Sequence, residues 1–549
     1  MSQIGKSRSV SVSASVSVSV RLSETGRKLK NSLPLCIALI TLPLIIQAQP
    51  SFAEKTFTMR IQGEPETLDW NLAHTPIETP LMTNLMTGLV LLDSKLNLKP
   101  DLAESWKISR DGLTYTFKLR PGLKWSDGVP LRASHFVDSW ERLLTPSLGA
   151  AYAYFLFDVQ GAKEFNSGKT KDFSKVGVKA LDDRTLEVKL AQPVSHWISI
   201  PSFWVTFPIR EDLIAKYGSE WTRPGRMVTV GPYVLLAHQM DSKLVLGVNP
   251  HFYGSKPRLD KIEALIVTDD STALNLYKTG KIDFLTDMPM AYLKELRTRP
   301  DFRVFPYLKT VYLGFAVESP SVSNAHLRKA IAMAINRSRL DDFFQGGQKP
   351  ASSFVPPPLA AFSPRLGLPY DPVKAKAELK ASGVDVSKMP PLQLLILNWE
   401  KSITLGQYIQ EELKQNLGIP VVLEPFDNKT YRAQLNLHKH ALFLTSWSAD
   451  YPDADNFLSI FMSDSGNNRP GWKNAEFDKE VLKARYSTAS AKRLRLYEAL
   501  QKKVQEENAA ILPLYYEPNI GLVNPRIHGL ELNPLNYLDL RGISHGEKP

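Results

Sequence analysis

Between Asp371 and Thr445 the sequence alternates helix patterns with short apolar strands, and this alternation limits the fold more than any other feature. Asp371-Pro372 supplies an N-cap and a first-turn proline for a helix that Gly383 stops. Ile403 to Leu417 makes a second helix, with Ile409, Leu413 and Leu417 on its inner stripe and Gly418 just past its end. VVLEP (421–425) and ALFLT (441–445) read as the strands that follow. Upstream, TYTFKL (114–119) and TLEVKL (185–190) alternate as half-buried strands. Between them, Ser134 to Leu144 carries Phe136, Val137, Trp140, Leu143 and Leu144 on one helix face. Helices interleaved with short apolar strands predict α/β lobes, whose ligand sites lie at the carboxyl ends of the strands. SWSADYPDADNF (446–457) starts where ALFLT leaves the core, which puts Asp450, Asp453 and Asp455 at such an end.

At 549 residues the chain can form two or three lobes with cores of their own. The first 53 residues are expected to take no part in them. Ser9 to Val20 is a low-complexity serine and valine tract, followed by the basic Arg27, Lys28 and Lys30 and by an apolar run from Leu33 to Ile46. Ser51-Phe52-Ala53 places small residues at the two positions a signal peptidase reads. The pattern is a secretory signal with a long n-region, cleaved near Ala53. The apolar run is short for a membrane anchor and is broken by Pro34 and Pro43. Cys36, the one cysteine, lies in this leader, and the residues before it lack a lipoprotein pattern. Cleavage would leave an exported chain without cysteine, stabilised by core burial and not by disulfides. It would also remove a net +5 from the formal charge of +11, leaving +6 without a Lys/Arg run for nucleic acid.

Enzyme signatures are missing. The sequence has no H-E-x-x-H, G-x-S-x-G, P-loop or G-x-G-x-x-G pattern, and the exported part offers no thiol. His438 and His440 stand two apart, but a third metal ligand does not follow, so a solvated pair is expected and no metal or cofactor. The three aspartates lack the spacing of a calcium loop, because no glycine occupies the sixth place from Asp450 and Phe461 occupies the twelfth.

The most specific block, DLAESWKISRDGLTYTFKLRPGLKWSDGVPLRASHFVDSWERLL from Asp101 to Leu144, resembles the extracytoplasmic solute-binding proteins of peptide and nickel ABC transporters (family 5), and the oligopeptide-binding members most. Further similarity follows in order: VGPYVL with NPHFYG (230–254), LYKTGKIDFL (276–285), LRKAIAMAINRSRL (327–340), the SWSADYPDADNF loop, and ILPLYY (511–516). Arg132 stands where a threonine is usual.

The resemblance implies a two-lobed, hinged α/β fold of the periplasmic-binding-protein type with an additional third domain. Lobe I would take residues 54–90, 205–308 and 517–549, the additional domain 91–204, and lobe II 309–516. Trp125 and Trp140 in the signature block would then be core residues and not contacts. The implied function is capture of peptides in the interlobe cleft, without catalysis, for delivery to an inner-membrane ABC importer. Receptors for a nickel chelate, haem or an oligosaccharide are the alternatives on the same fold, and a secreted hydrolase the alternative of another class. The implied partners are the peptide and the importer's permease subunits, with the protein a periplasmic monomer.

In Trp447-Ser448-Ala449-Asp450-Tyr451, Asp450 matches the aspartate that pairs with a peptide's α-ammonium. Asp453 and Asp455 have no such counterpart and are expected to be solvated or to cap the following helix. Glu78 in HTPIET and Tyr152 in AAYAYF match cleft residues, with Tyr154 as the rival of Tyr152. Where relatives place a tryptophan and two arginines ahead of the aspartate loop, this chain has Asn428, Leu435 and Leu444. Lys401 and Arg432 are the remaining candidates for the ligand's carboxylate, each with a surface charge as its alternative.

Overall fold

A computed structural model describes residues 54–546. The expected signal segment and its cleavage near Ala53 therefore lie outside the described residues. Three sheets organise the rest. The first has seven strands in the spatial order Phe302–Phe305, Asn519–Val523, Phe284–Thr286, Thr56–Ile61, Lys261–Ile266, Lys243–Val248 and Tyr233–Gln239. Its Thr56–Ile61 strand buries Phe57, Met59 and Ile61, and runs parallel to Lys261–Ile266 with Thr56 opposite Lys261.

The second sheet has six strands: Lys349–Pro350, Ile511–Tyr516, Lys309–Phe315, Leu442–Ser448, Leu392–Leu397 and Val421–Phe426. Ile511–Tyr516 is buried at every position, as its unbroken apolar sequence requires. Leu392–Leu397 runs parallel to both Val421–Phe426 and Leu442–Ser448, so these three strands end on one edge. Gly314 lets the neighbouring strand come close, since a Cβ there would fall 2.0 Å from the Phe443 ring.

The third sheet is antiparallel, in the order Ala103–Ile108, Thr114–Leu119, Thr185–Lys189 and Val178–Asp182. Tyr115, Phe117 and Leu119 point inward, and the helix Ser134–Leu144 buries Phe136, Trp140, Leu143 and Leu144. Trp125 and Trp140 are core residues, at 0% and 1% exposure.

The helix signals of the sequence recur in the structure. Asp371 caps Pro372–Ser382 by accepting from the Lys374 amide, and Gly383 ends it at φ 70°. The next helix begins three residues before Ile403, at Glu400, and ends at Gly418 with φ 71°.

The chain passes between the first and second sheets where Phe305 leads to Lys309, and again where Tyr516 leads to Asn519. These two passages are tied together. The Glu517 amide donates to the Lys309 carbonyl at 3.1 Å, and the Glu517 carboxylate accepts from Lys309 at 2.8 Å and also from Lys401. Burial alone would raise the Glu517 carboxyl, but the two ammonium groups outweigh it and hold the value down at about 2.

Candidate ligand-binding site

The shared edge of Leu392–Leu397, Val421–Phe426 and Leu442–Ser448 delivers three segments to one place: Trp399 with Glu400, Asp427 with Asn428, and the loop Ala449–Asp455. An α/β sheet presents its ligand groups at this edge.

The loop is shaped by one amide. Asn456 Oδ1 accepts from the Trp447 indole at 2.9 Å and from the Asp450 backbone N–H at 3.1 Å, while its Nδ2 lies 3.4 Å from Asp450 Oδ2. The Tyr154 hydroxyl donates to the same carboxylate oxygen at 3.4 Å. Among the described residues, neither lysine, arginine nor histidine pairs with Asp450. Burial therefore pushes its carboxyl up to about 6, and the neutral Asn456 and Tyr154 offset this only in part.

Asp453 and Asp455 are arranged differently. Asp453 caps the short helix Ala454–Leu458 through the Asp455 amide and takes both Arg493 terminal nitrogens, at 2.6 and 2.8 Å. Asp455 is 0% exposed. It accepts from Arg485 at 2.6 Å, from the Tyr451 hydroxyl at 2.8 Å and from the Tyr497 hydroxyl at 3.1 Å. Burial pushes its carboxyl up, yet Arg485, His196 and the Tyr451 hydroxyl together outweigh burial and hold it well below the usual range. The expectation of a solvated or capping pair is thus corrected. Asp453 caps and is also paired, and Asp455 is a buried ion-pair acid with no solvated role.

Tyr451 turns its hydroxyl into this network, and its ring stacks on His196 at 4.6 Å with 5° between the planes. His196 Nδ1 is 4.0 Å from Asp453 and Nε2 is 3.9 Å from Asp455, so a residue of the 91–204 segment closes over the loop. No local sequence signal marks His196, because its partners lie more than 250 positions away. Ala449 is buried and fixed by its amide to the Leu308 carbonyl at 2.8 Å. Trp447 is half-buried.

Tyr152 is half-buried and meets Phe155, Phe203 and Trp204 edge-on. Burial raises its hydroxyl above the usual range, Asp450 and Glu78 add to this, and Arg432 opposes it. Tyr154, its sequence rival, is the tyrosine that touches Asp450. Tyr537 belongs to the same surroundings, since burial, Asp450 and Tyr152 all raise its hydroxyl.

Glu78 is fully buried and turned into its own segment. Its Oε1 accepts from the Glu66 amide at 3.0 Å, and Oε2 from the Thr75 amide and hydroxyl at 2.7 and 2.5 Å. Lys401 is engaged by Glu517 and lies over the Phe344 and Tyr515 rings, at 5.3 and 5.6 Å. The histidine pair is also rearranged. His438 sits in a left-handed turn at φ 52°, and His440 is buried with Nε2 2.7 Å from Glu424. Among the described residues, no group of three or more His, Cys, Asp or Glu is placed to hold a metal ion.

Residues 97–469 match the family described as bacterial extracellular solute-binding proteins, family 5 middle. The chain belongs to this family. It is 32% identical over 502 residues to the probable deoxycholate-binding periplasmic protein of Escherichia coli (strain K12), covering 89% of this chain and 93% of that protein. It is 31% identical over 496 residues to the periplasmic murein peptide-binding protein of the same strain, covering 88% and 91%. The solved structure of the Escherichia coli murein tripeptide binding protein matches with a TM-score of 0.79 at 29% identity, over 90% of this chain and 99% of that one. The fold is accordingly the two-lobed α/β periplasmic-binding fold with an additional domain. It is a fold of binding proteins, and the relatives described here are periplasmic. Among the described residues, no helix is long and apolar enough to cross a membrane.

Proposed function

We propose that the protein captures peptides with a free N-terminus between its lobes and delivers them to an inner-membrane ABC importer, without chemical turnover. The observation that carries this reading is the Asp450 carboxylate. It is half-buried, raised to about 6, and given hydrogen bonds but no cation among the described residues. A peptide's α-ammonium supplies the missing charge, and charge-assisted hydrogen bonds then offset the desolvation of both groups. The murein peptide-binding relative supports this class of ligand.

The deoxycholate-binding relative raises a second class. A bile acid carries a carboxylate, which beside Asp450 would bury two like charges, so the acid favours an ammonium ligand.

In this reading, lobe I comprises residues 54–90, 205–308 and 517–549, the additional domain 91–204, and lobe II 309–516. The lobes open about the crossings at 204–205, 308–309 and 516–517. The chain acts as a periplasmic monomer after cleavage near Ala53. Asp450, Trp447, Ala449 and Tyr451 form the floor of the site, Tyr152 and Tyr154 cover it, and Glu78 holds the facing loop. Mass spectrometry of ligand co-purified from the native host tests the reading: peptides with free N-termini support it, and a bile acid, metal chelate or sugar overturns it.

A further inference from the structure

The segments 91–204 and 309–516 meet at the loop that carries Asp450, through groups of the protein itself. From the turn Ala153–Leu156, the Tyr154 hydroxyl reaches Asp450 at 3.4 Å, and Phe155 sets its ring 6.1 Å from Tyr451 with 87° between the planes. His196 stacks on the same tyrosine at 4.6 Å and 5°. Its Nδ1 lies 3.4 Å from a terminal nitrogen of Arg493, on the helix Ser490–Lys502. His196 and Tyr451 are 8% and 9% exposed, and parting the two segments would return their stacked faces to water.

Both halves of this contact are fixed from within. On the 309–516 side, Tyr451 donates to Asp455 at 2.8 Å, Arg485 holds Asp455, and Arg493 is held by Asp453. On the 91–204 side, the His196 carbonyl accepts from the Ser199 amide and hydroxyl at 2.9 and 2.7 Å, and Phe155 stacks on Phe203 at 4.2 Å. Groups ordered in advance lose little freedom when they meet. The two ion pairs lie wholly within 309–516, so they survive when the segments part. The His196 stack does not.

We infer that His196, with the turn Ala153–Leu156, is a latch on Tyr451 and Asp450 that holds the lobes together from the protein's own side. His196 is then a positioning residue, acting through Tyr451 and not through a contact with the ligand. The latch presupposes the hinged lobes proposed above but not the identity of the ligand. A contact made only when the lobes meet raises the closed population, and the apparent affinity of a closing site rises with that population. Loss of the latch leaves the ligand's own contacts in place, so it should act mainly by speeding release.

Small-angle scattering of ligand-stripped protein tests this, together with the rate at which a mixed-sequence pool of free tripeptides is lost on dilution, counted by mass spectrometry. His196→Ala should enlarge the radius of gyration of the stripped protein, with far-ultraviolet circular dichroism unchanged. It should also shed the pool about three- to tenfold faster than the wild type, which is the size of one aromatic pair. His196→Phe keeps a ring on Tyr451 and should restore both readouts. Tyr154→Phe alters an exposed side chain, removes the other crossing bond and should enlarge the stripped radius by less. An unchanged radius in folded His196→Ala overturns the latch, and Tyr154→Phe decides in the same way if His196→Ala does not fold. An enlarged radius that His196→Phe fails to restore overturns the stack as its cause. If the wild type retains none of the pool, the peptide reading falls, while the stripped radii still decide the latch.

Discussion

Asp450 and Asp455 are five positions apart in one loop, Asp450 half-buried and Asp455 fully buried, yet their surroundings are opposite. Asp455 has a guanidinium and two tyrosine hydroxyls, and its carboxyl is held well below the usual range. Asp450 has one tyrosine and one amide at 3.4 Å, and its carboxyl is pushed up to about 6. Loss of water raises the carboxyl of each and does not by itself tell them apart. What separates them is whether the fold brings its own cation. An acid neutralised from within serves the fold, and in the proposed reading an acid left without a cation serves a ligand that carries one.

The most severe way to break the contrast is Asp455→Asn, which leaves Arg485 in place without its carboxylate. Removing one member of a buried pair costs about 3–5 kcal/mol, so the midpoint of urea unfolding should fall by that equivalent. An unchanged midpoint would mean the pair is solvated. Asp450→Asn should do the reverse: unfolding unchanged or slightly harder at pH 7, because a lone half-buried charge has gone. Peptide binding should weaken by about 2–5 kcal/mol, which is thirty-fold or more in Kd by calorimetry. Loss of stability without loss of binding would exchange the roles of the two acids.

The pH dependence sharpens the comparison. Because Asp450 is raised in the folded state, its contribution to stability is full below about pH 4, the value of a free carboxyl, and is lost as pH rises through 6. Peptide affinity follows the opposite course, since the ammonium requires the carboxylate. It should fall about tenfold per unit below about pH 6, and Asp450→Asn should abolish this slope. Asp455 is lowered, so its contribution is present above about pH 4 and lost as the solution is acidified. Thermal unfolding and calorimetry from pH 4 to 8 separate the two curves. A slope that survives in Asp450→Asn would assign it to another group. The smallest effect belongs to Asp453→Asn. Asparagine keeps the helix cap, and losing the charge opposite Arg493 should lower stability by about 1 kcal/mol, with little change in binding.

Local rules made much of the fold legible. Period-two alternation placed Thr114–Leu119 and Thr185–Lys189, and capping residues placed the ends of Pro372–Ser382 and Glu400–Leu417 to within three residues. The resemblance put Asp450 at the site, but nothing local could show that Asp455 is an internal acid. Its partner Arg485 is thirty positions on, and only the fold brings the two together. Tyr152 and Tyr154 could not be ranked for the same reason. They share one short helical turn, and which hydroxyl reaches Asp450 depends on a contact across 296 positions. Lys401 reads as a free cation until Glu517 is found against it.

Asn456 has a consequence of its own. Its amide cannot be turned over, because its oxygen already receives two N–H groups and a flipped –NH2 would oppose both. Asp450 is thus aimed and immobilised by a group that carries no charge. Rigidity is usually gained with ion pairs, which would also satisfy the acid and leave it nothing to recognise. A neutral splint separates these two effects: the loop keeps its shape when empty and its appetite for a cation as well. Lysine at 456 would give a tighter loop that no longer attracts an ammonium, and aspartate a loop that repels its own neighbour.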